Sequence, residues 1–386
     1  MGALGPSRPV AAGPASFAEA LAALDWDREA ESIRAKTAAD VERALQGGRA
    51  RSVEDFKALV SESAAPYLEA MARAAQESTL RRFGRAVRMY VPVYLSNVCH
   101  NRCRYCGFAL GNEIPRVILT DAQIRAECGA VRAMGYRHVL FVTGESNEVR
   151  LPYFLNALSL ARPIFDHITL ESQPLDEADY AALGAAGLHA VSLYQETYRR
   201  ATWREYHPAG NKSRFEWRLG TPERAARAGI RKFGLGVLVG LEDWRADSVL
   251  ALRHLAFLRA RHPRMEFSIS FPRMRPAEGG IEPKVPISDR EFVQLMCAWR
   301  LADPCVEALL STREAPAFRD AVFPLATTHL SAGSRTNPGG YTCGDGVLPQ
   351  FESGDERSAA EVAGMLAARG YRPVWKDWDA SLSGPP

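Results

Sequence analysis

Eight short runs rich in apolar and β-branched residues recur along the chain, at 87–95, 138–143, 167–171, 190–194, 233–239, 265–271, 306–311 and 329–332. Between them lie segments with the length and amphipathic pattern of helices, among them 120–134, 176–186, 222–228, 248–260 and 289–301. Strands alternating with helices imply parallel βαβ units, since a parallel neighbour needs a crossover long enough to hold a helix. Eight such units predict an α/β fold, a closed (β/α)8 barrel of the TIM type over residues 84–335. At 386 residues and 47% hydrophobic content, the chain can bury a core of that size.

The flanks read differently. Residues 17–83 are predicted helical: Thr37-Ala38-Ala39-Asp40 and Ser52-Val53-Glu54-Asp55 look like capping boxes, and Phe56, Leu59, Val60 and Ala64 follow at helical spacing. Residues 336–386 open on the turn-rich Asn337-Pro338-Gly339-Gly340-Tyr341, continue with a helix at 359–368, and end on Val374-Trp375-Lys376-Asp377-Trp378. This part is expected to cap the barrel, with the two tryptophans as a packed plug. Residues 1–16, rich in Gly, Pro and Ala, have no continuous apolar core, and Pro6 breaks a myristoylation pattern, so a disordered leader is expected. No apolar stretch approaches the roughly 18 residues of a membrane span. The formal net charge is +3, with Lys and Arg interleaved among acids, which predicts neither a nucleic-acid nor a membrane partner. Seven scattered cysteines without a secretory signal point to a reducing, cytoplasmic setting.

A TIM-type barrel does its chemistry at the C-terminal ends of its strands. After the first run stands Cys99-His100-Asn101-Arg102-Cys103-Arg104-Tyr105-Cys106. Thiolates at i, i+4 and i+7 on one loop can hold an iron–sulfur cubane by three corners and leave one iron open, whereas a passive carrier uses four cysteines. Structural zinc is the competing reading, but it wants four ligands, usually from paired hooks. Cys128, Cys297, Cys305 and Cys343 are scattered and form no second hook. Tyr105 and Phe108 flank the last ligand, where an aromatic ring could stack on a purine, shield the cluster or simply pack.

The other strand ends are polar: Gly144-Glu145, Glu171 with Gln173, Gln195-Glu196, Arg273 with Arg275, Thr312-Arg313-Glu314 and Ser334-Arg335-Thr336. A glycine permits close backbone approach and a carboxylate accepts from an ammonium, so Gly144-Glu145 suits an amino-acid-like ligand. Arg273, Arg275 and Arg313 could each grip a carboxylate with two prongs, or serve in ordinary salt bridges. His207, His254 and His329 lack ligand spacing and read as surface or packing residues. The glycines of 234–240 are spaced GxGxxxG inside a strand-like run, which rejects a dinucleotide loop, and no GxSxG, HExxH or GxxxxGK[ST] occurs.

Cys99-x3-Cys103-x2-Cys106 followed by Gly107-Phe108 resembles the cluster loop of the radical S-adenosylmethionine (SAM) superfamily. The ordered segments YVPVYLSNVC, YCGFALGNEIPR, VTGES, YQETY, GIRKFGLGVLVGLEDW, SFPRMRP, GGIEP, LSTRE, SRTNPGGY and RPVWKDWD resemble the tyrosine lyases of thiamine biosynthesis, the ThiH or 2-iminoacetate synthase family. That likeness runs from about Leu24 to Asp379. HydG, NosL-type tryptophan lyases and a non-catalytic iron–sulfur or zinc protein are the alternatives. HydG carries a C-terminal extension with a CxxC, where this chain has only Cys343.

The resemblance implies a [4Fe–4S] cluster on Cys99, Cys103 and Cys106, whose open iron chelates S-adenosyl-L-methionine. It implies reduction by flavodoxin or ferredoxin, hydrogen abstraction from L-tyrosine, Cα–Cβ cleavage to 4-cresol and 2-iminoacetate, and transfer of the latter to thiazole synthase, ThiG. By motif position Gly144 and Glu145 meet the SAM ammonium, while Tyr105, Gln195, Glu196 and Arg218 are further cofactor contacts. Arg313, supported by Ser311 and Ser334, would hold the tyrosine carboxylate; Arg273 or Arg275 would hold that of SAM.

Overall fold

In a computed structural model, residues 14–46, 51–343 and 346–376 are described; residues 1–13 of the expected leader, and Asp377 and Trp378 of the expected plug, lie outside the described residues. The predicted barrel is present. Its strands are β1 (Ala86–Ser96), β2 (His138–Thr143), β3 (His167–Glu171), β4 (Ala190–Ser192), β5 (Lys232–Gly236), β6 (Glu266–Ser270), β7 (Glu307–Leu310) and β8 (His329–Ser331). Each pairs in parallel with the next, and β1 closes the ring by pairing with both β2 and β8. β4 and β5 stop short of the expected 194 and 239 because the ladder thins there into single bridges, Glu196 to Val237 and Val239 to Arg273. The chain is already leaving the sheet for the mouth.

A ninth strand, β9 (Arg372–Val374), runs parallel beside Ala86–Arg88 at the start of β1. Three residues with a proline among them carry no strand signal in sequence, and only an edge position tolerates them. The C-terminal region therefore does not act as one cap. Trp375 packs edge-on to Tyr136, ring centroids 5.2 Å apart, near the floor end of the barrel, whereas residues 346–356 lie across the mouth at the opposite end.

Both capping boxes read from sequence form, Thr37 with Asp40 and Ser52 with Asp55; further boxes start the helices Asp121–Ala133, Asp289–Ala302 and Ala359–Ala368. The N-terminal helices pack on the barrel's outer helices, Leu68–Phe83 against Asp289–Ala302 and Pro316–Ala326. Buried Gln294 fixes that seam by donating to the carbonyls of Leu59 (2.9 Å) and Ser61 (2.7 Å). Among the described residues no helix is long and apolar enough to cross a membrane. His207, His254 and His329 are all buried: His254 stacks on Phe17 at 4.0 Å, and His329 Nε2 lies 3.7 Å from Glu307.

The mouth segment is tied down by charge. Arg319, 1% exposed, pairs with Asp355, also 1% exposed, and donates to the Ser331 carbonyl at the end of β8; Arg357 bridges Asp355 (2.8 Å) and Asp320 (2.9 Å). Removing one partner of a buried pair leaves an uncompensated charge in low dielectric. Asp355→Ala strands Arg319 in this way and is expected to lower stability by about 3–5 kcal/mol, read as a fall in the urea midpoint; a midpoint shared with the unaltered protein would refute the assignment.

Candidate active site

β1 delivers its chain to a loop, residues 97–107, that crosses the barrel mouth and is pinned at many points. Asn97 donates to the Pro115 carbonyl (2.7 Å) and accepts from Val117 N–H (2.7 Å). The backbone N–H groups of His100, Arg102 and Arg104 donate to the carbonyls of Glu145 (2.8 Å), Ala209 (3.2 Å) and Tyr206 (3.1 Å), and that of Gly107 to Gln350 (3.1 Å). One guanidinium, Arg116, donates to the carbonyls of Asn97, Phe108, Ala109 and Asn112 at 2.7–3.0 Å. The result brings Cys99, Cys103 and Cys106 to the wall of one cavity.

Gly144 serves this loop. A Cβ there would stand 2.3 Å from the Val98 carbonyl oxygen and 3.0 Å from Cys99 Cβ, so it is the loop that approaches the glycine. Gly107 is equally constrained, with a Cβ falling 2.7 Å from the Gln350 carbonyl oxygen.

Burial, helped by Cys106, pushes the Cys99 thiol up to about 11; burial pushes Cys103 higher still, although Lys212 pulls the other way. Thiols so reluctant to ionise alone are ionised by a bound cation. A cubane would take each of the three thiolates on a different iron.

Facing the thiols is a buried ladder of alternating charge. Arg218, on the short helix Phe215–Leu219, pairs with Glu145 Oε1 at 2.8 Å, donates to the Tyr194 carbonyl at 2.7 Å and lies 3.5 Å from Glu196 Oε1. Lys212 Nζ meets that same Glu196 oxygen at 2.6 Å. Glu196 sits at φ +64°, the one non-glycine with positive φ among the described residues, a conformation sustained only where the surroundings enforce it. Glu145 Oε2 is buried with no hydrogen-bond partner among the described residues, so it is open to an ammonium. Tyr105 lines the cavity with its hydroxyl held by His207 Nε2 at 2.8 Å. Burial and Lys212 keep that imidazole neutral. The cavity offers about 910 Å³ counting its open mouth, within the range of sites for nucleoside-sized ligands.

A second chamber continues toward the barrel axis, sharing Glu171, Tyr194, Arg313, Gln350 and Phe351 with the first. Arg313 lies flat on Phe351, its Cζ 3.4 Å from the ring centroid. Ser311 Oγ accepts from the Arg313 backbone N–H at 3.4 Å, and Ser334 Oγ is buried without a partner among the described residues. Both serines line this chamber. Burial and the neighbouring Glu196 push Glu171 up to about 7, against the pull of Arg218, Arg313 and Lys212.

Two expected residues are not brought here. Arg273 is committed elsewhere: it pairs with Glu314 and, at 2.6 Å, with Asp289, between the rings of Phe292 and Phe318. Of the two arginines, Arg275 is the one that lines the cavity, its Nε buried and unpartnered among the described residues. Gln195 is absent from the cavity wall, which Tyr194 and Glu196 line on either side of it. Four lining residues were given no role in sequence: Lys212, on the short 3-10 turn Asn211–Ser213; Gln350 and Phe351, on a loop with no periodicity; and Glu171, at the end of a predicted strand.

The Radical SAM superfamily matches residues 93–256, and the Biotin and Thiamin Synthesis associated domain matches residues 270–372. The chain is 48% identical to the 2-iminoacetate synthase of Escherichia coli (strain K12) over 369 residues, 95% of this chain and 98% of that protein. Among solved structures it is similar to HydG, a maturase of the [FeFe]-hydrogenase, with a TM-score of 0.86 at 30% identity, over 91% of this chain and 79% of that one. It also shares the fold of methylornithine synthase (PylB), with a TM-score of 0.70 at 20% identity, over 87% and 97%.

Gly144→Ala forces the cysteine loop off the end of β2. The expected outcome is about tenfold or weaker cluster retention with an unaltered far-UV spectrum, measured as iron and sulfide content after anaerobic reconstitution. Full iron content would mean that the contact does not position the thiols.

Proposed function

We propose, because this chain belongs to the 2-iminoacetate synthase family of the radical SAM superfamily, that it cleaves the Cα–Cβ bond of L-tyrosine to 2-iminoacetate and 4-cresol, the former for thiazole formation in thiamine biosynthesis. The observation that carries the reading is one continuous space with three thiols and an unpartnered Glu145 oxygen at its mouth and an aromatic-backed arginine further in.

When bound, the [4Fe–4S] cluster and SAM supply the one-electron chemistry that takes a hydrogen atom from tyrosine. Cys99, Cys103 and Cys106 hold the cluster. Glu145 Oε2 accepts from the SAM ammonium, with Arg218 behind it fixing the carboxylate, and Arg275 faces the SAM carboxylate. Glu196, clamped by Lys212 and Arg218, and Tyr105 complete that wall. Arg313 grips the tyrosine carboxylate; Phe351 beneath it and Ser311 beside it hold the guanidinium in place, and Ser334 offers a hydroxyl. Glu171, balanced near neutrality and lining both chambers, is placed to exchange a proton with bound tyrosine. The mouth segment and cysteine loop keep water from an imine that hydrolyses readily.

The partners follow from the same site. Arg102 and Arg104 flank Cys103, are exposed, and join no ion pair among the described residues. A positive rim beside a cluster ligand suits an acidic one-electron carrier, flavodoxin or ferredoxin. The lability of the product favours direct transfer to thiazole synthase, ThiG. A reducing cytoplasm is the setting that goes with a thiolate-held cluster.

The reconstituted protein, incubated anaerobically with SAM, dithionite and tyrosine, should release 5′-deoxyadenosine, 4-cresol and glyoxylate, the hydrolysis product of 2-iminoacetate. Deoxyadenosine without cresol would reject tyrosine as substrate. Arg313→Ala is expected to raise the tyrosine concentration for half-maximal rate about 100-fold with iron content intact; unchanged kinetics would remove Arg313 from the substrate site. Arg102→Glu with Arg104→Glu should slow flavodoxin-driven turnover and abolish its salt dependence while dithionite-driven turnover persists. Equal loss with both reductants would rule out a docking role.

A further inference from the structure

Gln350 stands at the centre of the mouth segment with each of its polar groups engaged. Its backbone N–H donates to the Thr336 carbonyl (2.8 Å), and its carbonyl accepts from Gly107 N–H (3.1 Å), the residue after the last cluster cysteine. Its side-chain Oε1 accepts from the Tyr94 hydroxyl at 2.8 Å, and its Nε2 donates to Cys106 Sγ at 3.6 Å. Phe351, next in the chain, carries Arg313. A sulfur bound to iron has no proton to give, so it can face only the NH2 end of the amide. Tyr94 holds the other end, at Oε1.

A hydrogen bond to a cluster sulfur is stronger in the state with more negative charge on the sulfur, and so favours the reduced cluster. We propose that Gln350 is a positioning residue that raises the reduction potential of the cluster through its amide hydrogen bond to the Cys106 sulfur. The cysteine loop supplies the ligands, and a residue 244 positions further along the chain adjusts their electron affinity. The tuning group shares its peptide with the support of the substrate arginine, so whatever moves Phe351 also moves the donor on Cys106. This inference rests on Cys106 being a cluster ligand.

The test is a potentiometric titration of the iron–sulfur-reconstituted full chain, without SAM or tyrosine, followed by the electron paramagnetic resonance of the reduced cluster. Gln350→Leu keeps the two backbone bonds and removes the amide; Gln350→Glu keeps the shape and replaces the donor with an oxygen. Both should be harder to reduce. At a fixed poise the reduced-to-oxidised ratio should fall about three- to tenfold in Gln350→Leu, the worth of one net hydrogen bond, and further in Gln350→Glu. Titrations superimposable on the unaltered protein at equal iron content would overturn the proposal. Should either variant fail to load iron, the unaltered protein grown with side-chain ¹⁵N-glutamine decides: hyperfine coupling of that nitrogen to the reduced cluster is expected, and its absence overturns the assignment. An unaltered protein that binds no iron would refute the cluster reading instead.

Discussion

The loop that presents the three cysteines has no regular structure of its own and is held by hydrogen bonds to separate parts of the barrel. Carbonyls of Glu145 after β2, of Tyr206 and Ala209 beyond β4, and of Gln350 from the C-terminal segment each take one of its N–H groups, while Arg116 gathers four carbonyls on its outer side. A buried loop must find partners for its backbone. Here those partners are the same elements that carry the chemistry, so satisfying the loop and assembling the site are one event. Gly144 and Gly107 are glycines because these contacts leave no room for a Cβ.

Charge in the mouth is organised by the same economy. Glu145, Arg218, Glu196 and Lys212 alternate in sign and are almost wholly buried, and each would be costly alone. Ligand groups can enter by exchanging into existing pairs, because the ladder leaves lone pairs open, as on Glu145 Oε2. Arg273, Glu314 and Asp289 form a comparable network outside the cavity. Sharing a residue type and a strand end is therefore not enough to make an arginine a ligand contact; what its neighbours already demand of it decides.

The barrel was legible in sequence because parallel strands covered on both faces read as near-continuous apolar runs. β2 and β3 begin and end at the expected residues, and the capping boxes at Thr37 and Ser52 start helices where read. β9 was hidden, since Arg372, Pro373 and Val374 pair only after the floor of the barrel exists to receive them. In the site, strand-end residues such as Glu145 and Arg313 could be found from topology, whereas no strand period separates Glu196 from Gln195, because both lie beyond β4 and the chain turns at Glu196 with φ +64°. Lys212, Gln350 and Phe351 could not be found this way, because their places are set by closure of the ring and not by any local pattern. Arg273 and Arg275 are two residues apart and chemically identical, and the positions of Glu314 and Asp289 tell them apart.

The bond between Gln350 and Cys106 spans most of the polypeptide. On the ribosome the N-terminal helices, the cysteine loop and all eight barrel strands are complete before the residue that closes the mouth has been synthesised. The ring that this bond closes contains seven of the eight barrel strands, β2 to β8, so covering the thiols is a long-range event that needs the barrel formed first.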